Sequence, residues 1–201
     1  MKVAFGFSAH SGWAALVVVG KRDGDFVLVD RERVTLVDET WAKAPYHAAE
    51  TKEIKVAREM VAKGIESANR VAVRELRGRI KREQQRQNEV QACAVLVGSS
   101  MPDWTVDEIL AVHFRMHKAE GVLFRDALIK ATQACGVRPV PVPQKLVSKE
   151  GEKALRISEA ELSRKIAEIG KSAGPPWGKD QKDAAVAAMI ALSSEATSAR
   201  V

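Results

Sequence analysis

The chain is poor in sulfur nucleophiles and in aromatic side chains. Of its 201 residues only Cys93 and Cys135 are cysteines, and both sit in apolar surroundings. That excludes a disulfide-stapled scaffold and a thiolate metal cluster. It suits free thiols in a reducing compartment, so a cytoplasmic location is expected. Long hydrophobic runs are also lacking. The longest, Trp13 to Val19, has the length of a strand and falls far short of the ~18 residues of a membrane span. The N-terminus lacks the basic segment, apolar core and small-residue cleavage site of a secretory signal. No repeat or low-complexity tract is present. One further absence bears directly on chemistry: no Asp or Glu occurs between Met1 and Arg22.

What is present describes a globular α/β chain. Hydrophobic residues make up 46%, enough for a sizeable core in a single domain spanning 1–201. Lys2–Ser8, Trp13–Val19 and Phe26–Val37 read as three strands joined by short turns, an antiparallel meander. The turn between the second and third carries Gly24, which supplies a positive φ. The stretch from Asp38 to Glu50 reads as a connecting loop. From about 50 to 90 the pattern becomes helical, with Ile54, Ala57, Val61, Ile65, Ala68, Ala72 and Leu76 recurring at three and four residues. Gly64 and Gly78 are candidate breaks. Beyond Leu76 the apolar stripe fades, so the end of this helix is expected to project or to lie on the surface.

Gln91–Val97 is a short strand. Thr105-Val-Asp-Glu108 is a capping box that should open a helix running to about Cys135. "VRPVPVP" is extended, and its prolines place it at a sheet edge or at a strand end. A second capping box at Ser158–Glu161 opens a short helix to about Ile169, and a last helix runs from about Lys179 to Ser194. The resulting order, β-β-β-α-β-α-β-α-α, implies a mixed five-stranded sheet, meander first and parallel strands after, with helices on both faces.

Charge is concentrated. The chain carries +6 overall, and the segment Arg70–Arg86 holds seven cations (Arg70, Arg74, Arg77, Arg79, Lys81, Arg82, Arg86) against Glu75 and Glu83. Such a segment can follow a phosphate backbone without reading sequence. It has no aromatic residue on which bases could stack. "HFRMH" sets His113 and His117 at i and i+4. It lacks the Glu of a zinc protease and shows no third ligand in sequence, so a packing or solvated pair is expected. Trp13 reads as core. Trp104 and Trp177 read as packing residues near the edge where a cleft would open.

Three stretches carry a resemblance. The opening "GFSAHSGWAALVVV" resembles the "G-h-D-x-x-x-x-G" start of RuvC-type Holliday junction resolvases and of related nucleases. The middle "VLFRDALIKATQACGVRPVPVPQKLVSK" is similar to their helix-then-strand segment ending in a basic residue, here including Lys145. "KDQKDAAVAAMIAL" resembles their final acidic helix. The resemblance implies a ribonuclease H-like fold. It also implies nucleic acid as partner and two Mg²⁺ or Mn²⁺ ions held by acids from strand one, strand four and the last helix, which activate water on a phosphodiester.

The acid positions are mostly empty. Ser8 stands at the first, Gly98 or Ser99 at the second, and only Asp180 and Asp183 remain on the last helix. If metal binds at all, Asp183 is its ligand, with Asp103 as a substitute acid after strand four. Otherwise the two aspartates are an exposed helix-start pair. The expectation is therefore a nucleic-acid-binding scaffold with lost or impaired two-metal hydrolysis, needing no cofactor. The basic segment and Lys145 would be its contacts. Two alternatives are an active endonuclease with a rearranged site and an assembly protein that dimerises through the long helix. A phosphate-binding ATPase is set aside, because the chain is short of a second domain and lacks the Asp-x-Gly-Thr turn.

Overall fold

A computed structural model describes residues 1–194. Five strands form one sheet: β1 (Lys2–His10), β2 (Trp13–Arg22), β3 (Asp25–Thr35), β4 (Glu89–Val97) and β5 (Arg138–Pro143), in the spatial order β3-β2-β1-β4-β5. The first three pair antiparallel, while β4 joins β1 and β5 joins β4 in parallel. The β2–β3 turn places Asp23 and Gly24 at φ 52° and 93°. Two successive positive φ values make a hairpin turn whose twist matches that of the strands. β5 is an edge strand, which tolerates Pro139, Pro141 and Pro143 because they can donate no ladder hydrogen bond.

Alternation along β1 sorts its side chains into two layers. Val3, Phe5 and Phe7 face helices α1 (Pro45–Ala49), α2 (Ile54–Gln85), α3 (Val106–Leu110) and α4 (His113–Ala134). Phe5 and Phe7 are buried there, each contributing roughly 1.5–3 kcal/mol by leaving water. On the opposite face Ala4 packs with Val17, Val19 and Ala92 against α5 (Val147–Leu155), α6 (Glu159–Ala173) and α7 (Lys179–Ser193).

That second face is built from small residues. A β-carbon at Gly6 would stand 1.9 Å from the Ala184 carbonyl oxygen and 3.1 Å from the Ala188 nitrogen. Glycine in β1 and alanines in α7 thus let helix and strand touch backbone to backbone. Ala184 and Ala188 repeat at four residues, and the same stripe continued one turn back reaches Asp180. The close crossing therefore sets Asp180 over the end of β1.

Several local expectations differ from the structure. The loop 38–50 contains a 3₁₀ turn (Thr40–Lys43) and α1. α2 is unbroken at Gly64 and Gly78. Gly64 is a close-approach residue, since a β-carbon there would meet the Pro45 side chain at 2.5 Å. Of the two expectations for the end of α2, it lies along the surface against β3 and does not project. Arg79 is only 11% exposed and binds Glu32 on β3 as well as Glu75, and Glu83 is buried, accepting from Arg86 and Asn88. Charge pairing replaces the apolar stripe there, which is why hydrophobic periodicity missed the contact. The helix after Thr105 is interrupted, because Val112 is extended (φ −139°, ψ 112°) and α4 starts anew at His113. Arg115 donates to the Glu108 carbonyl that the break leaves free. α5, not expected from sequence, is tied down by Gly151 packed against Val186 and Leu162.

Candidate nucleic-acid site at the carboxyl edge of the sheet

β1 and β4 are parallel, so their last residues share one edge of the sheet. Ser8 donates to Asp180 Oδ1 at 3.2 Å. His10 Nε2 lies 3.1 Å from Asp180 Oδ2, a charge pair whenever the ring is protonated. His10 is stacked on Trp13 with centroids 4.3 Å apart, and the Arg33 guanidinium covers the Trp13 ring at 3.7 Å. Arg31 donates to the carbonyls of Pro175 and Pro176 ahead of α7. Trp13, Arg31, Arg33, Pro176, Gly178, Asp180 and Gln181 line an open groove of about 420 Å³. Trp13 is thus a groove wall and not core. Trp177 packs away from the groove, its indole against Gly170 and its Nε1 donating to the Ile166 carbonyl. Trp104 lies under Arg115 and Lys118.

The strand-four end carries a cation. A β-carbon at Gly98 would meet Arg125 Nη1 at 2.6 Å, so the guanidinium from α4 occupies the space beside this residue. Arg125 donates through Nη2 to Gln144 Oε1 at 3.3 Å, and its buried Nε has no partner among the described residues. Burial pulls its pKa below the usual guanidinium value, and the neighbouring Asp126 carboxylate acts in the opposite sense. Lys145 follows Gln144 directly, exposed at the end of β5 and on the same edge. The sequence reading missed Arg125. Its signal was available: an Arg set inside the apolar periodicity of "VLFRDALI".

Among the described residues, Asp180 and Asp183 gather no third acid into a metal-binding group. Asp183 is buried at 9% exposure and paired with Lys179, which corrects the expectation of an exposed helix-start pair. Asp180 is engaged by Ser8 and His10. Asp103 sits exposed in the loop before α3, and it does not gather with Asp180 and Asp183 into a metal-binding group among the described residues. Hard divalent ions need several carboxylate or carbonyl oxygens. Two aspartates, one paired with Lys179 and the other with Ser8 and His10, beside a guanidinium, fit that need poorly.

The basic segment is largely neutralised. Arg70 and Arg74 bind Asp38; Arg79 and Arg82 bind Glu32; Arg86 binds Asp30 and Glu83. With Asp30, Glu32 and Asp38 facing it, the region holds seven cations against five anions. Among the described residues, Arg77 and Lys81 are exposed and form no ion pair with an acid.

No protein-family profile matches the chain, and no curated protein matches it in sequence. Solved structures match it in fold. "Thermus thermophilus RuvC structure" aligns over 98% of this chain and 96% of its own, at 14% identity and a TM-score of 0.52. "T. thermophilus RuvC in complex with Holliday junction substrate" aligns over 97% and 96%, at 15% identity and 0.53. The fold is RuvC-like. Coverage of nearly the whole of both chains means that the RuvC-like architecture accounts for the meander, the parallel strands and both helical layers together. No helix among the described residues is long and apolar enough to cross a membrane.

Proposed function

We propose that this chain binds nucleic acid independently of sequence and does not perform two-metal hydrolysis. The observation that carries the reading is Arg125: a half-buried guanidinium with one neutral partner at the end of β4, where two-metal chemistry would need a carboxylate. A phosphate would give the guanidinium the anionic hydrogen-bond partner that Gln144 does not, and the planar fork suits phosphate oxygens. Arg33 and Lys145 add positive charge along the same edge, with Arg77 and Lys81 as further contacts on α2. Trp13 supplies an aromatic wall to the groove. One of the fold relatives is described in complex with a Holliday junction, so branched DNA is the first probe.

The test is fluorescence anisotropy with four-way junction, duplex and single-stranded DNA, followed by incubation with Mg²⁺ or Mn²⁺. Binding without cleavage is expected, weakened at least tenfold in the Arg33→Ala/Arg125→Ala double variant. Metal-dependent cleavage that disappears in Asp183→Asn would overturn the reading. So would the absence of binding at low salt.

A further inference from the structure

The histidine pair in "HFRMH" acquires a partner that sequence spacing does not reveal. His47 on α1 folds against His113 and His117 on α4, and one ligand-capable nitrogen from each lies within 4.8 Å of the other two. Three of the chain's four histidines thus converge. We propose that they form a binding site for a zinc-class divalent ion, with His47, His113 and His117 as protein ligands and water in a fourth position.

The outer contacts select the ligand atoms. His47 Nδ1 lies 2.7 Å from Glu120 Oε2, and the His47 backbone N–H donates to Glu120 Oε1 at 3.1 Å. A carboxylate accepting from Nδ1–H leaves the lone pair on Nε2, the tautomer a metal requires. Such carboxylate–histidine contacts commonly orient metal ligands. His47 Nε2 is buried and has no hydrogen-bond partner among the described residues. His113 repeats the arrangement more loosely, with Nδ1 3.5 Å from Glu50 Oε1. Its Nε2 then faces His117 Nε2 at 3.1 Å. Two ligands of a tetrahedral ion at 2.0–2.1 Å would stand about 3.3–3.4 Å apart, so this separation is close to that of a shared ion.

Three neutral imidazoles favour zinc and its borderline neighbours over Mg²⁺ or Ca²⁺, which take oxygen ligands. Both glutamates offset the ion's charge. The i, i+4 spacing on α4 supplies two ligands from one helix face, and the ion would clamp α1 to the start of that helix. The site lies in the helical layer opposite α7, so it is separate from the Asp180 groove.

The test uses the full chain without a polyhistidine tag. Titration with Zn²⁺ should give one ion per chain, and Co²⁺ in its place should give the intense visible absorption of a tetrahedral site. Mg²⁺ should not compete. Zinc should raise the melting temperature, and a chelator should return it. His113→Ala/His117→Ala changes two exposed side chains, so the fold should persist by circular dichroism while stoichiometric binding is lost. Glu120→Gln should weaken zinc about 10–100-fold with all three ligands retained. Failure of the parent to retain zinc would overturn the proposal. So would an affinity unchanged in the double variant.

Discussion

Asp183 and Gly6 show how single residues here are held by what crosses over them. Asp183 is buried on α7 and held by Lys179. Asp183→Ala should cost about 1–3 kcal/mol in urea denaturation, as expected when a buried charged hydrogen bond is removed. Gly6→Ala should cost at least as much, because its new methyl would overlap the Ala184 carbonyl in a crossing of two backbones. Unchanged midpoints in both variants would mean that α7 does not lie on β1 as described. Cys93 offers a separate check. Burial pushes its thiol up to about 12, against a smaller opposing effect of the hydrogen bond with Thr132. A thiol reagent at mild alkaline pH should leave Cys93 unmodified in the native protein and label it after unfolding.

At the scale of elements, the ion pairs between α2 and β3 replace hydrophobic packing where the helix loses its apolar stripe. Glu75 is the residue to titrate. Burial alone would raise its pKa, but the hydrogen bonds from Arg79 and Arg74 outweigh burial and hold it below the ordinary 4.5. A depressed carboxylate stabilises the fold above its unfolded pKa and loses that contribution as pH falls through the folded value. Stability should therefore fall below about pH 4.5, and Glu75→Gln should make that decline shallower. Arg79→Ala should cost about 2–3 kcal/mol by leaving Glu32 and Glu75 without their shared guanidinium. On the opposite layer, Ser158 accepts the Glu161 N–H at the start of α6. Ser158→Ala should cost roughly 0.5–2 kcal/mol.

For the whole molecule, the redistribution of charge alters what binding should look like. A helix with seven free cations would dominate the field, but acids on β3 and the loop after it neutralise most of that helix. Association should instead depend on both the sheet edge and the exposed part of α2. If about four phosphates are engaged on B-DNA, log K should fall against log salt with a slope of roughly −4. Arg125→Ala should make the slope shallower by about one. Changing Arg77 and Lys81 to Glu should weaken binding with little loss of stability, whereas reversing Arg74 and Arg82 should also destabilise the fold, because each would then oppose an acid. A salt slope unaffected by any of these changes would place the interface elsewhere.

The sequence by itself did not determine α1, α5 or the break between α3 and α4. It determined the order of the five strands, the mixed sheet, an edge or strand-end place for the proline-rich strand and both threonine and serine capping boxes. These depend on local period, turn chemistry and short-range hydrogen bonds, which adjacent residues carry. It also determined that strand one has no acid, which holds in any alignment register. The tertiary structure decided everything that depends on convergence. Asp180 reaches Ser8 across 172 positions of chain, and His47 reaches Glu120 across 73. The pairing of Arg82 with Glu32 spans 50. No local pattern records which charge faces which, because the sheet order and the two helical layers choose those neighbours. The basic run was legible as charge, yet whether that charge is free depended on the acids that folding brings against it.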